Sequence, residues 1–105
     1  MGEVARSREE VIARLALAEG EILGLGVRRL ALFGSFARGE AGAGSDVDVL
    51  VEFDPRWKTY DRFLELSDLL ERLLQRSVEV VTTEALSPNI GPHILAEAED
   101  VIRAP

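Results

Sequence analysis

The sequence has no cysteine and only one histidine, His93, one lysine, Lys58, one tryptophan and one tyrosine. Without cysteine there are no disulfides, thiolate nucleophiles, cysteine-ligated zinc sites or iron–sulfur clusters, which fits a reducing compartment. One histidine leaves neither a His-rich metal site nor a Ser/His/Asp triad to assemble. No apolar run approaches the roughly 20 residues of a membrane-spanning helix. The first residues, Met1 to Arg6, lack the basic-then-apolar order of a secretory leader, and Arg6 stands where N-myristoylation needs Ser or Thr. A cytoplasmic protein with no membrane attachment is expected. Positive charge is also scarce: 12 basic residues face 19 acidic ones, a net charge of −7. Such a surface repels phosphate backbones, so no direct nucleic-acid contact is expected, and a basic partner protein is easier to accommodate.

The chain has 105 residues, 47% of them hydrophobic, enough for one domain over 1–105 that buries about two-thirds of its unfolded surface. Ser7-Arg-Glu-Glu10 reads as a capping box, followed by Val11, Ile12, Leu15, Ala16, Ile22 and Leu23 at helical spacing, a single helix ended by Gly24 and Gly26. Val27 to Phe33 is a short apolar run between glycines, as in a buried strand. Val47 to Phe53 alternates, with Val47, Val49, Val51 and Phe53 on one face and Asp46, Asp48, Leu50 and Glu52 on the other. Asp61 to Arg76 carries the strongest helical pattern. Val78 to Thr82 reads as a third strand, and Gly91-Pro92 starts a last helix running to about Ala98. Glu97, Glu99 and Asp100 read as a solvated face. Trp57 and Tyr60 are expected to pack on the neighbouring helix, and His93 to lie at the surface. The order α, β, loop, β, α, β, α suggests an α/β (α+β) domain: a single-layer, small mixed sheet flanked by helices.

The chemistry concentrates in two places. Asp46 and Asp48 lie two apart on one strand, so their carboxylates leave the same face about 6.5–7 Å apart at the backbone. They could share a hard cation such as Mg²⁺ or Mn²⁺, or be two solvated aspartates at a strand's start. Upstream, Gly34-Ser35 closes the first strand. Its glycine lets the backbone approach phosphate oxygens, and Ser35 adds a hydroxyl and an amide at the start of a short helical turn. A plain glycine-rich connection is the alternative.

Together, Leu32-Phe-Gly-Ser-Phe-Ala-Arg-Gly39 and Ser45-Asp-Val-Asp-Val-Leu-Val51 resemble the signature of the DNA polymerase β-type nucleotidyltransferase superfamily, and most closely its minimal nucleotidyltransferase (MNT) proteins. The likeness extends over roughly residues 10 to 100, through Val78-Glu-Val-Val81 and Thr83-Glu-Ala-Leu-Ser-Pro88. The resemblance implies a polymerase β-like fold in which Gly34, Ser35, Arg38 and Ser45 bind the nucleotide. It also implies that Asp46 and Asp48, with a third carboxylate at Glu79, are catalytic and ligate two Mg²⁺ ions. Relatives usually carry Asp at that third place, and the glutamate here is one methylene longer. By the same resemblance the reaction moves AMP from ATP to a hydroxyl, a tyrosine of a helical HEPN toxin, and the chain is the antitoxin of a type VII-like toxin–antitoxin module. The alternative is a nucleotidyltransferase-fold binding module, weak or inactive as an enzyme, that neutralises its partner by complex formation. A homo-oligomer is left open.

Overall fold

A computed structural model describes residues 3–105; the Met1–Gly2 part of the leader and lipidation reading lies outside it. Ser7 starts the first helix, α1 (Arg8–Leu17), its hydroxyl accepting from the Glu10 N–H at 3.1 Å. The Glu10 carboxylate reaches back to the Arg6 N–H at 3.2 Å, one residue earlier than a standard capping box. The expected single helix breaks at Ala18, where the backbone turns to φ −101° and ψ 18°, and resumes as α2 (Glu19–Gly24). Two of the six residues of α2 are glycine, each costing about 1 kcal/mol against alanine in a helix. The break leaves Leu17 exposed while Val11, Leu15, Ala18 and Ile22 stay in the core.

Strands β1 (Val27–Phe33), β2 (Val47–Phe53) and β3 (Val78–Thr82) form where the sequence pattern puts them. A five-residue helix, α3 (Gly34–Arg38), follows β1 directly. α4 (Tyr60–Leu74) carries the chain from β2 to a parallel β3. Thr59 caps it, accepting from the Arg62 N–H at 3.1 Å, and Gln75, in the left-handed region at φ 54°, ends it at Leu74, two residues before the expected Arg76. After a 3-10 turn at Thr83–Ala85 comes α5 (Gly91–Glu97), bounded as its glycine and proline indicate.

The last element corrects the sequence reading. Glu99 and Asp100 are exposed, as expected of a solvated face, but they open a fourth strand that the sequence pattern did not show, β4 (Glu99–Arg103), antiparallel to β1. The sheet order is β3-β2-β1-β4, mixed as expected. Only Ile102 of β4 is buried. Asp100 pairs with Arg29 and Arg103, and Glu99 with Arg8. Charged, short and bulged against Leu30 and Ala31, β4 has the features that blunt a sheet edge and that hide a strand from pattern reading.

Side-chain alternation gives the sheet two faces. Leu30, Leu32, Val47, Val49, Val51 and Phe53 face the main core, closed by α1, α2 and α4 through residues such as Leu15, Ile22, Leu66 and Leu70. Among the described residues, the opposite face buries only Ala31, Phe33 and Leu50, thinly covered by Val81, Leu86, Ile94 and Ala98. Asp48 and Glu79 belong to this second face. No helix among the described residues is long and apolar enough to cross a membrane.

Candidate active site

The parallel register between β2 and β3 sets Asp48 directly beside Glu79. A slip of one residue would send one of them into the main core, and Val47, Val49 and Val78, all buried, forbid it. Burial pushes the Asp48 carboxyl up to about 6. The Glu79 charge, a hydrogen bond between the two carboxyl groups and the charge of Asp46 push the same way, while Arg38 pulls back. Among the described residues, Asp46, Asp48 and Glu79 take part in no ion pair, although nine other pairs form across the surface. Asp46, one residue ahead of β2, is exposed. Among the described residues no three acidic or histidine side chains converge into a ready-made metal cluster. The structure therefore joins Asp48 to Glu79 and leaves Asp46 nearby but separate.

Gly34 is buried against Asp48 with φ +77°, a conformation that L side chains rarely adopt. A Cβ added there would lie 2.2 Å from Asp48 Oδ2. The turn therefore requires glycine for two reasons, and it places the start of α3 on the Asp48 carboxylate. Ser35 is half-buried next to it, and its carbonyl accepts from the Glu40 N–H at 2.9 Å.

Ser45 has a structural task in the glycine-rich loop: its hydroxyl accepts from the Gly42 N–H at 2.9 Å and its own N–H donates to the Gly42 carbonyl at 3.1 Å. Arg76, which the sequence did not single out, ties the loop to the rest of the molecule. Its guanidinium donates to the carbonyls of Ala43 at 3.0 Å, Ser45 at 2.9 Å and Ala5 at 2.6 Å, and stacks 5.0 Å from the centre of the Phe36 ring.

Arg38 is not free at the surface. Its Nε donates to Glu40 at 2.9 Å and its Nη1 to Glu97 at 2.7 Å. Glu97, expected on a solvated face, also accepts from the Gly34 N–H at 3.1 Å. No local pattern marks it, because its partners lie 59 and 63 residues away. A groove of about 360 Å³ opens beside Asp48 and Glu79, walled by Phe33, Val81, Leu86, Ile90 and Ile94. His93 is exposed, as expected. Trp57 packs against Gly26 and lies under the Arg62 guanidinium of α4, whereas Tyr60 stays exposed.

The nucleotidyltransferase domain family matches residues 15–101, a span that holds every residue of this site. The chain belongs to that family. This nucleotidyltransferase is 42% identical over 72 residues to the protein adenylyltransferase MntA of Thermococcus cleftensis, covering 69% of this chain and 72% of that one. It superimposes on the solved structure of a candidate minimal nucleotidyltransferase with a TM-score of 0.79 and 34% identity, over 89% of this chain and 94% of the other. A chain from the complex of tri-AMPylated Shewanella oneidensis HEPN toxin with MNT antitoxin shares the fold at 20% identity and a TM-score of 0.55, over 84% of this chain and 71% of that one. The polymerase β-like fold expected from the two motifs is the fold observed.

Proposed function

We propose that this nucleotidyltransferase transfers AMP from ATP to a protein hydroxyl, a tyrosine of a HEPN toxin, and so acts as the antitoxin of a toxin–antitoxin pair. The observation that carries the reading is the in-register Asp48–Glu79 pair, held against Gly34 and left without a basic partner. Anionic side chains crowded in this way suit a site that works with cations. Support for protein as the acceptor comes from the Thermococcus relative, named for protein adenylylation, and from the net charge of −7, which disfavours RNA.

In this reading Gly34, Ser35 and Arg38 receive the triphosphate, with Ser45 shaping the loop that delivers Asp46. The acceptor oxygen bonds to the α-phosphorus as the bond to the bridging oxygen breaks, and pyrophosphate leaves with that electron pair. Glu79, exposed on β3, takes the hydroxyl proton. Asp46, Asp48 and Glu79 have the oxygen-donor chemistry to hold Mg²⁺, which when bound would lower the acceptor's pKa and neutralise the departing pyrophosphate. What the fold supplies is alignment and electrostatics.

The separate stance of Asp46 keeps one competing reading open, a binding module that neutralises its partner by complex formation alone. Intact mass spectrometry of the co-purifying partner, with ATP and Mg²⁺, separates the two. The enzyme adds an adenylyl-sized mass that the Asp46→Asn, Asp48→Asn double variant does not. A stable complex with no mass change in either sample overturns the enzyme reading.

A further inference from the structure

The Glu97 carboxylate, at the last residue of α5, sits on the two donors assigned above to the triphosphate: the Gly34 N–H at 3.1 Å and the Arg38 guanidinium at 2.7 Å. Backbone N–H and guanidinium are the donor pair a phosphate uses, and one carboxylate spans them with its two oxygens as a phosphate group would. We propose that Glu97 is an internal stand-in for the nucleotide phosphate, which must leave these donors before ATP can bind and thereby sets the affinity for nucleotide. The inference rests on the reading of Gly34 and Arg38 as the phosphate cradle.

Three features of the molecule favour displacement over a fixed structural bond. Arg38 and the Gly34 amide hold the Glu97 carboxyl below the usual glutamate range, so it is anionic and directly opposes a polyphosphate. The Glu97 side chain is 31% exposed, so solvent can take up its charge once it turns away. Its backbone stays anchored meanwhile: the Ala98 N–H donates to the Ile94 carbonyl at 2.9 Å, and Ile94 packs on the Phe33–Leu50 cluster. Only the side chain has to move. While the cradle is empty, Glu97 keeps Arg38 and the Gly34 turn in place; when ATP arrives, the same contacts have to be broken.

The test measures equilibrium binding of ATP and of adenosine, by calorimetry, to the wild type, Glu97→Gln, Glu97→Ser and Arg38→Met, and to Arg38→Met combined with Glu97→Gln. Thermal unfolding and circular dichroism confirm the fold of each. The expected result is ATP binding about fivefold tighter in both Glu97 variants, with adenosine, which has no phosphate, unchanged. In the Arg38→Met background the Glu97→Gln gain should disappear. Unchanged or weaker ATP binding in both folded Glu97 variants, with Arg38→Met weaker than wild type, overturns the stand-in and leaves the cradle intact. Unchanged ATP binding in Arg38→Met overturns the cradle itself and the inference with it.

Discussion

On one face of the sheet, six strand residues from Leu30 to Phe53 are closed over by three helices. On the other, three are buried under the seven-residue α5 and the turn before it. Among the described residues, the buried side chains of the first face are apolar, and their energetics follow from area removed from water. The second gathers Asp48, Glu79, the Gly34 turn and Glu97, and most of these interactions oppose one another. Burial, with the charges of Glu79 and Asp46 beside it, raises the Asp48 carboxyl to about 6. The packed face is where stability is gained, and the thin face is where some of it is given up for chemistry.

Substitutions should separate the faces, beginning with the largest effect. In the proposed reaction Asp48 supplies a charge that the transition state needs, so Asp48→Asn should reduce adenylyl transfer by about a thousandfold or more, measured by nucleotide incorporation into the partner. Leu70→Ala, on the packed face, should cost about 3 kcal/mol in urea unfolding, and activity per folded molecule should hold. Gly34→Ala forces a Cβ onto Asp48 at a positive φ and should cost about 1–2 kcal/mol. It should also lower kcat, which Leu70→Ala should not.

The sharpest contrast is the effect of Asp48→Asn on stability. The folded-state pKa of Asp48, about 6, lies above its ordinary value of 3.8, so the native state holds the extra proton between those values. Wild-type stability from this group is therefore full below about pH 4 and declines as pH rises through 6. Asp48→Asn should match the wild type near pH 4 and exceed it above pH 6.5 by about 1 kcal/mol, after discounting for partial exposure. A variant that gains stability while losing activity would place the strain on the thin face; equal stability at both pH values would break the comparison. The smallest effect is Thr59→Ala, which should remove the α4 cap at a cost of about 1 kcal/mol, read as a lower Tm, with kcat unchanged.

Strands β1, β2 and β3 were legible because alternation and flanking glycines act locally, and so was the shared face of Asp48 and Glu79, because a strand's period dictates it. The motif reading also found the Gly34 turn. β4 escaped because its pairing partner, β1, lies about 70 residues upstream and its charged residues have little strand preference of their own. The Ala18 break escaped because Ala18 and Ile22 continue the same helical spacing on either side of it. Glu97 and Arg76 escaped for a different reason: each acts on backbone groups brought near only by the finished fold.

Arg76 grips three carbonyl oxygens and an aromatic ring, and none of those carbonyls depends on the side chain of the residue that bears it. The loop it holds is therefore anchored by its path through space and not by its spelling. Side chains at positions 42–44, all exposed, can change without touching these contacts, and Asp46 keeps its post as long as the chain still presents its carbonyls at the same two points.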